Sequence, residues 1–363
     1  MGTGGRDMDA ITTKGTVLIV GGGIAGLAAA LSLVDQGIQV RLVERELMLG
    51  GRVAHSSAVF PSMDKGQDII DVFLGELGNT DDFEAMLGAE ITFIRRLGRG
   101  FEVEIELKPV GGEKGCVQRM MVHADAIILA TGLEPIDAGA IPELGFPKLA
   151  NVVLSTSFDE VLEKGLRRPS DGEKLGAVAF VQCVGSRVET RGVPYCSAIC
   201  CMNAIKNAIA VKEADNSIET YVLYIDIRAH GKGYEALYKR AREKGVRFIR
   251  GQPAMVVRKP GSERLLVVGE NTLLKELYEI PVDLVALSVG LRPSRGTAEL
   301  LSMLDISVDK DGLIGEDSRF ESTSTSGHGV FVAGCAEAPK DVRDSIAQGE
   351  ASALAASRYI SSR

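Results

Sequence analysis

The sequence has no apolar run of the length that crosses a bilayer. Its hydrophobic segments, VLIVGG, AIILATG, AVAFVQ and LVALSVG, are each short, whereas a spanning helix needs ~18 or more apolar residues. A protein free of the membrane is therefore expected. The opening residues, MGTGGRDMDAITTKG, lack the long apolar segment of a secretory signal, so a cytoplasmic setting is expected. Six cysteines among 363 residues are too few for a disulfide scaffold. The four histidines, His55, His123, His230 and His328, form no spaced metal motif. Clustered positive charge is also missing. The formal charge is −8, and the basic residues of Lys239–Arg250 alternate with acidic and apolar ones, which argues against nucleic acid as a partner. No short-period repeat or low-complexity segment occurs.

What is present reads as an α/β chain, 45% hydrophobic and long enough for two domains. From Thr16 to Glu44 the order is strand, glycine turn, helix, strand. A strand at Ala126–Ala130 ends in Thr131-Gly132, and a linker of little periodicity runs to about Asn151. A second strand–helix–strand pattern starts at Gly176, with a small-residue helix near Ser197–Val211 and a strand at Thr220–Ile225. A helix at Tyr234–Lys244, a strand at Val246–Ile249, a hairpin around Lys259–Glu263 and a strand at Val282–Val289 follow. The chain then returns with VFVAG at Val330–Gly334 and an alanine-rich helix from about Val342. The second domain is therefore expected to be inserted within the first, and the two βαβ units suggest a distant structural duplication.

Gly21-Gly22-Gly23-Ile24-Ala25-Gly26 fits G-x-G-x-x-G between a strand and a helix. Gly21 permits the tight turn, Gly23 admits a pyrophosphate to the backbone, and Gly26 lets helix and strand approach. The helix N-terminus adds unpaired N–H groups and partial positive charge. Glu44, at the end of the second strand and beside Arg45, is placed to accept hydrogen bonds from an adenosine ribose. Gly50-Gly51-Arg52, Ala130-Thr131-Gly132 and Val332-Ala333-Gly334 match the further FAD-lining passages of flavoproteins with two dinucleotide-binding domains. Together they favour FAD over NAD. The segment DVRDSIAQGEASALAA, with Ser345 and Ile346 near its start, would turn a helix dipole toward the flavin ring.

Four cysteines, Cys183, Cys196, Cys200 and Cys201, form C-x12-C-x3-C-C. Soft thiolates at a strand end and a helix opening suit an iron–sulfur cluster. Zinc and buried free thiols are the alternatives, although zinc usually comes with C-x2-C pairs, which are missing. The same absence argues against a dithiol exchange centre. Adjacent residues of a regular helix point about 100° apart, so Cys200 and Cys201 can share one centre only if the backbone bends there. Cys116 and Cys335 are expected to be incidental. Where a nicotinamide site would carry its glycine turn, the chain reads Gln182-Cys-Val-Gly-Ser-Arg187, keeping only Gly185. Asp226 ends the following strand as a ribose-holding acid would, but without the turn it counts for little.

The segment FVQCVGSR…GVPYCSAICCMNAIK, Phe180 to Lys206, closely resembles the flavin-carrying HdrA family of heterodisulfide reductases. The resemblance extends over nearly the whole chain. It implies a thioredoxin-reductase-like flavoprotein of two Rossmann-like domains: FAD-binding at 1–150, an inserted cluster-bearing domain at 151–285, and an FAD-binding return at 286–363. It also implies a [4Fe–4S] cluster on the four cysteines and electron transfer within a larger complex of heterodisulfide-reductase-like subunits, with a symmetric homodimer as the family habit. Lys206 is implied near the reactive flavin nitrogen. FAD contacts are implied for Gly21, Gly23, Ile24, Ala25, Gly26, Glu44, Arg45, Gly51, Arg52, Ala130, Thr131, Gly132, Gly334, Ser345 and Ile346. Longer relatives carry cysteines around a phrase like FPTLDC, whereas this chain reads Phe60-Pro-Ser-Met-Asp-Lys65 and ends at Arg363. It thereby resembles the short form of sulfur-oxidising prokaryotes, whose pathway implies lipoate-carrying associates. The competing expectation is an NAD(P)H-dependent flavin or disulfide oxidoreductase.

Overall fold

The computed structural model describes residues 15–108, 117–315 and 321–362. The first part of the chain runs β1 (Thr16–Val20), α1 (Ile24–Val34), β2 (Gln39–Glu44), α2 (Gly51–Ala54), α3 (Gly66–Leu77) and β3 (Phe83–Leu87). Next come β4 (Ala89–Arg96), β5 (Phe101–Leu107), β6 (Gln118–Ala124) and β7 (Ala126–Leu129), then β8 (Leu133–Pro135), which leaves this part of the molecule. The second part holds β9 (Val152–Leu154), α4 (Phe158–Glu163), β10 (Ala177–Val184), α5 (Cys200–Ala214), β11 (Glu219–Tyr224), α6 (Tyr234–Glu243) and β12 (Arg247–Arg250). It continues with β13 (Pro253–Arg258), β14 (Leu265–Asn271), β15 (Glu276–Val282) and β16 (Leu284–Val289). The chain returns through β17 (Leu291–Pro293) and α7 (Thr297–Leu304) to β18 (Val330–Val332) and α8 (Val342–Ser361).

Two parallel sheets result, ordered β18-β7-β1-β2-β3 and β12-β11-β10-β16-β9. Each is accompanied by an antiparallel trio, β4-β5-β6 and β13-β14-β15. The two halves thus share one plan, in keeping with the paired βαβ units of the sequence. Parallel strands are covered on both faces and so read as continuous apolar runs, and all eight residues of β10 are buried. Phe180 of β10 meets Phe158 of α4 edge-on, with centroids 4.8 Å apart. Truncating Phe180 to alanine should cost about 3–5 kcal/mol.

Small residues set the approach of α1 and α8. A Cβ on Gly349 would lie 2.4 Å from the Ala25 carbonyl oxygen, so only glycine allows the two helices this contact. The chain passes between the parallel sheets through β8 and β17, which pair antiparallel with Arg292 opposite Glu134. Glu134 accepts from the Arg292 guanidinium at 3.0 and 3.1 Å and from the Arg295 N–H at 3.1 Å. A second clasp joins α6 to α8: the Tyr234 hydroxyl donates to Asp341, and Phe60 packs edge-on against the Tyr234 ring at 5.4 Å.

Three features depart from the sequence expectations. The antiparallel trio β4–β6 and helix α3 were not anticipated. The cysteine helix begins at Cys200 instead of near Ser197, because Ala198 holds a left-handed φ of 58°. Cys116 lies outside the described residues.

Candidate functional site

The glycine loop after β1 is built as its motif requires. Gly21 has φ 112°, and a Cβ there would sit 2.3 Å from the Ala130 carbonyl oxygen. At Gly26 a Cβ would lie 2.0 Å from the Gly21 carbonyl oxygen. Gly23 differs: a Cβ there would meet nothing within 4 Å, so its backbone faces open space at the N-terminus of α1. That is the cradle a pyrophosphate would fill. The Gly50 N–H donates to the Gly22 carbonyl at 2.7 Å, which lays Gly51 and Arg52 along the loop. Glu44 accepts from the N–H groups of Gly22 (2.7 Å) and Glu46 (2.9 Å). A carboxylate has about four lone-pair sites, so it keeps capacity for a ribose.

The remaining candidates for FAD come in from distant parts of the chain. Gly334, with φ 64°, has no room for a side chain: a Cβ there would fall 2.5 Å from the Ala25 methyl and 3.8 Å from Ser345. Ala25, Gly334 and Ser345 therefore meet at one junction between the openings of α1 and α8, and Ile24 is the first residue of α1. Ile346 stands on the far side of that turn, in the wall of a 490 Å³ cavity shared with Phe60, Pro61, Ile69 and Val342. Gly132 (φ 69°) has open space where a Cβ would stand, and the Thr131 hydroxyl accepts from Thr297 at 3.2 Å. Arg52 donates through Nε to the Leu133 carbonyl at 3.2 Å. It is exposed, and desolvation by the surrounding protein lowers its guanidinium despite the nearby Cys335 and Glu134. Arg45 stands apart, exposed and bonded to the Arg295 carbonyl at 3.1 Å. An open cradle lined by helix N-termini and backbone N–H groups fits a dinucleotide.

The second centre lies where β10 ends. Cys183 (φ 58°) and Gly185 (φ 61°) turn the chain sharply there, and the Cys183 carbonyl is held by Gln252 Nε2 at 3.0 Å. Cys200 and Cys201 are the first two residues of α5. Cys200 neighbours both Cys183 and Cys201, and these thiols together with burial push it well above the ordinary thiol range. The same contact lowers Cys201 to about 7. Cys183 is lowered too, first by Cys200 and further by Arg187. Arg187 is anchored by Asp226, with both carboxylate oxygens 2.9 Å from one guanidinium nitrogen. The Cys201 sulfur lies 3.7 Å from the Asp226 carbonyl oxygen.

Three of the four cysteines are thus brought together. Cys196 sits in the adjoining loop, its sulfur accepting from the Ala198 N–H at 3.3 Å. Among the described residues, no group of three or more His, Cys, Asp or Glu side chains is set around a single metal ion. A multi-iron cluster spreads its thiolate ligands more widely than one ion does, and soft sulfur donors at a helix N-terminus suit it. The donor set fits such a cluster in kind.

Lys206, two turns along α5, is 1% exposed and pairs with Asp159 at 3.4 Å. Burial lowers its ammonium, and Asp159 opposes that shift. Asp159 also accepts from the Ser57 hydroxyl, just beyond α2. An ion-pair chain therefore runs from the cysteine helix to the segment following Gly51-Arg52. Gln182, before Cys183, and Asn207, after Lys206, are fully buried with neither amide atom bonded. Buried orphans of this kind call for a partner, and they flank the cysteine centre and the buried cation. Sequence reasoning missed Arg187 and Asp159; Asp226 was noticed as a ribose acid, but its carboxylate is taken by Arg187.

The model of the pyridine nucleotide-disulphide oxidoreductase family matches residues 15–168. Among curated proteins, an A-type iron–sulfur subunit of CoB–CoM heterodisulfide reductase from Methanopyrus kandleri is 34% identical over 96% of this chain. Its counterpart from Methanocaldococcus jannaschii is 34% identical over 94%. The chain is a homologue of HdrA. It spans less than two thirds of these relatives, 64% and 63% of their lengths. Among solved structures, thioredoxin reductase from T. acidophilum has a TM-score of 0.62 at 21% identity, covering 94% of this chain and 97% of its own. Lactococcus lactis thioredoxin reductase has a TM-score of 0.65 at 18% identity, covering 96% and 100%. The fold is that of thioredoxin reductase. This HdrA homologue has no helix, among the described residues, long and apolar enough to cross a membrane.

Proposed function

We propose that the chain is an FAD- and [4Fe–4S]-containing electron-transfer component of a heterodisulfide-reductase-like complex, acting as a flavin-dependent iron–sulfur oxidoreductase. The observation that carries this reading is the meeting of Cys183, Cys200 and Cys201 at the end of β10, on the helix whose buried Lys206 reaches toward the Gly51-Arg52 segment through Asp159 and Ser57. Bound FAD would supply two-electron chemistry and the cluster one-electron chemistry. The glycine loop with Glu44, Thr131, Gly132, Gly334 and Ser345 would hold the dinucleotide, and Cys183, Cys196, Cys200 and Cys201 the cluster. Lys206 would hold its proton at Nζ, with Asp159 supporting that charge, so that the chain offers a cation in a dry setting. Arg187 and the α5 N-terminus favour thiolates at the cluster end.

The finer reading is cytoplasmic sulfane-sulfur oxidation, with other heterodisulfide-reductase-like subunits and a lipoate-carrying protein as associates, a homodimer as the assembly, and no role for nucleic acid. The Phe60–Lys65 segment supports it, with Lys65 and no cysteine where the relatives of the methanogens carry one. The domain division at 150 and 285 belongs to the same proposal, supported by a second sheet drawn from strands between Val152 and Val289. Direct reduction by NAD(P)H is disfavoured because Asp226 is engaged by Arg187 and the loop after β10 keeps only Gly185 of a phosphate-binding turn. Anaerobic purification with flavin, iron and sulfide quantification tests the cofactor reading; zinc in place of iron, or no flavin, would overturn it. Stopped-flow mixing with NADH or NADPH tests the rest: rapid flavin bleaching by either one would overturn dependence on partner subunits.

A further inference from the structure

The acid just beyond β11 meets the cysteine centre through both its backbone and its side chain. The carbonyl oxygen of Asp226 lies 3.7 Å from the Cys201 sulfur. Its carboxylate grips Arg187, with both oxygens 2.9 Å from one guanidinium nitrogen. A guanidinium has five N–H donors, so Arg187 keeps donors to spare. It also neighbours Cys183: Cys200 lowers that thiol and Arg187 lowers it further, while Asp226 raises the guanidinium and Cys183 raises it further. One acid–base pair therefore connects the end of β10 with the start of α5, where the acid of a ribose site would stand free.

The guanidinium is presented on a braced turn. The Ser186 N–H donates to the Cys183 carbonyl at 3.3 Å, the Arg187 N–H to the Tyr195 carbonyl at 3.0 Å, and the Val193 N–H to the Gly185 carbonyl at 2.9 Å. The Ser186 hydroxyl donates to the same Tyr195 carbonyl at 2.8 Å, and Gln252 Nε2 holds the Gln182 and Cys183 carbonyls at 3.0 Å each. Gly185–Arg187 is thereby laced to Val193–Tyr195, which leads directly into Cys196. Exposure decides which charge the sulfurs feel. The Arg187 side chain is 27% exposed and that of Asp226 47%, and Arg228 also reaches the Asp226 carboxylate at 3.6 Å. Water and a second guanidinium screen the acid more than the base, so the thiols meet a net positive field.

Reduction adds one negative charge to a cluster held by thiolates, and net charge and hydrogen bonds to sulfur set the potential at which it happens. Groups outside the ligand set supply both. We propose that Arg187, held in place by Asp226, raises the reduction potential of the cluster on Cys183, Cys196, Cys200 and Cys201. The inference rests on the iron–sulfur reading above and deepens it: the acid and the turn that a nicotinamide site would use serve the cluster instead.

An EPR-monitored redox titration of the anaerobically purified, cofactor-loaded chain tests this, with iron and sulfide quantified on each sample. Arg187→Gln should make reduction at least tenfold less favourable, a fall of about 59 mV for a one-electron couple, with iron and sulfide unchanged. Arg187→Lys keeps the charge and loses the fork, and its potential should fall between those of the wild type and Arg187→Gln. Combining Arg187→Gln with Asp226→Asn removes the acid left unpaired, so the double variant should lie above Arg187→Gln alone. A fully loaded Arg187→Gln protein at the wild-type potential would overturn the proposal, as would equal falls in the Gln and Lys variants. If Arg187→Gln loses its cluster, Arg187→Lys decides: a lower potential supports the proposal and the wild-type value overturns it. A wild-type chain without iron and sulfide would instead overturn the cluster reading itself.

Discussion

Replacing Gly23 with alanine should separate cofactor binding from folding. Gly23 has φ −74° and ψ 179°, a conformation alanine adopts freely, and its added methyl would meet nothing within 4 Å. The cofactor-free protein should therefore keep its stability, or gain about 0.4–1 kcal/mol from the stiffer unfolded chain. If a pyrophosphate lies against this backbone, the methyl occupies its approach and displaces at least one charge-assisted hydrogen bond. At about 1.5–3 kcal/mol for such a bond, FAD should bind about 10- to 150-fold more weakly. Gly26→Ala is the contrasting substitution. Its Cβ would fall 2.0 Å from the Gly21 carbonyl oxygen, forcing backbone movement that costs about 1–3 kcal/mol whether or not FAD is present. Urea unfolding of the flavin-free protein and titration by quenching of FAD fluorescence measure the two effects separately. A Gly23→Ala protein of normal stability that binds FAD as tightly as the wild type would refute the placement of the pyrophosphate.

Asp159→Asn removes the partner of a lysine that is 1% exposed, and unpairing a buried charge costs about 3–5 kcal/mol. The folded lysine titrates below its ordinary 10.5, so the unfolded state holds more protons between the two values and stability rises with pH across that interval. In Asp159→Asn the interval should extend to lower pH, visible in urea midpoints measured across the alkaline range. Glu134 is lowered as well, here by its partners: burial opposes its ionisation, but the Arg295 N–H and the Arg292 guanidinium outweigh this and hold it below 4.5. Its contribution is present above 4.5 and is lost as pH falls through the lower folded value, so Glu134→Gln should flatten the acid limb of the stability curve. Lys340 spends its three donors on the Gly334 and Ala338 carbonyls and Glu337, at 2.6, 2.9 and 2.7 Å. Lys340→Met should destabilise by about 2–4 kcal/mol and weaken FAD binding, since Gly334 loses its tether; an unchanged FAD affinity would show that this loop does not line the cofactor.

The sequence made the local parts of this molecule legible and hid the non-local ones. Thr16 to Glu44 announced a βαβ unit because strand, turn and helix each carry their own signal within thirty residues. The cysteine segment was equally plain, and its helix was misplaced only by the left-handed residue at Ala198. Strand β4 went unseen because a bulge between Ile91 and Phe93 breaks its alternation. Strands β8 and β17 are three residues each and pair across the whole inserted domain, so nothing local distinguishes them from loop. The ion pair of Lys206 with Asp159 and the meeting of Ala25, Gly334 and Ser345 likewise exist only once the chain has folded.

The most direct test of the central claim is anaerobic EPR of the dithionite-reduced protein, with iron, acid-labile sulfide and FAD quantified on the same sample. The account predicts the signal of a single [4Fe–4S] cluster, iron and sulfide in equal amounts, and stoichiometric FAD, with the signal lost in Cys200→Ser while the flavin is retained. Stoichiometric zinc without sulfide, or an undiminished cluster signal in Cys200→Ser, would contradict it.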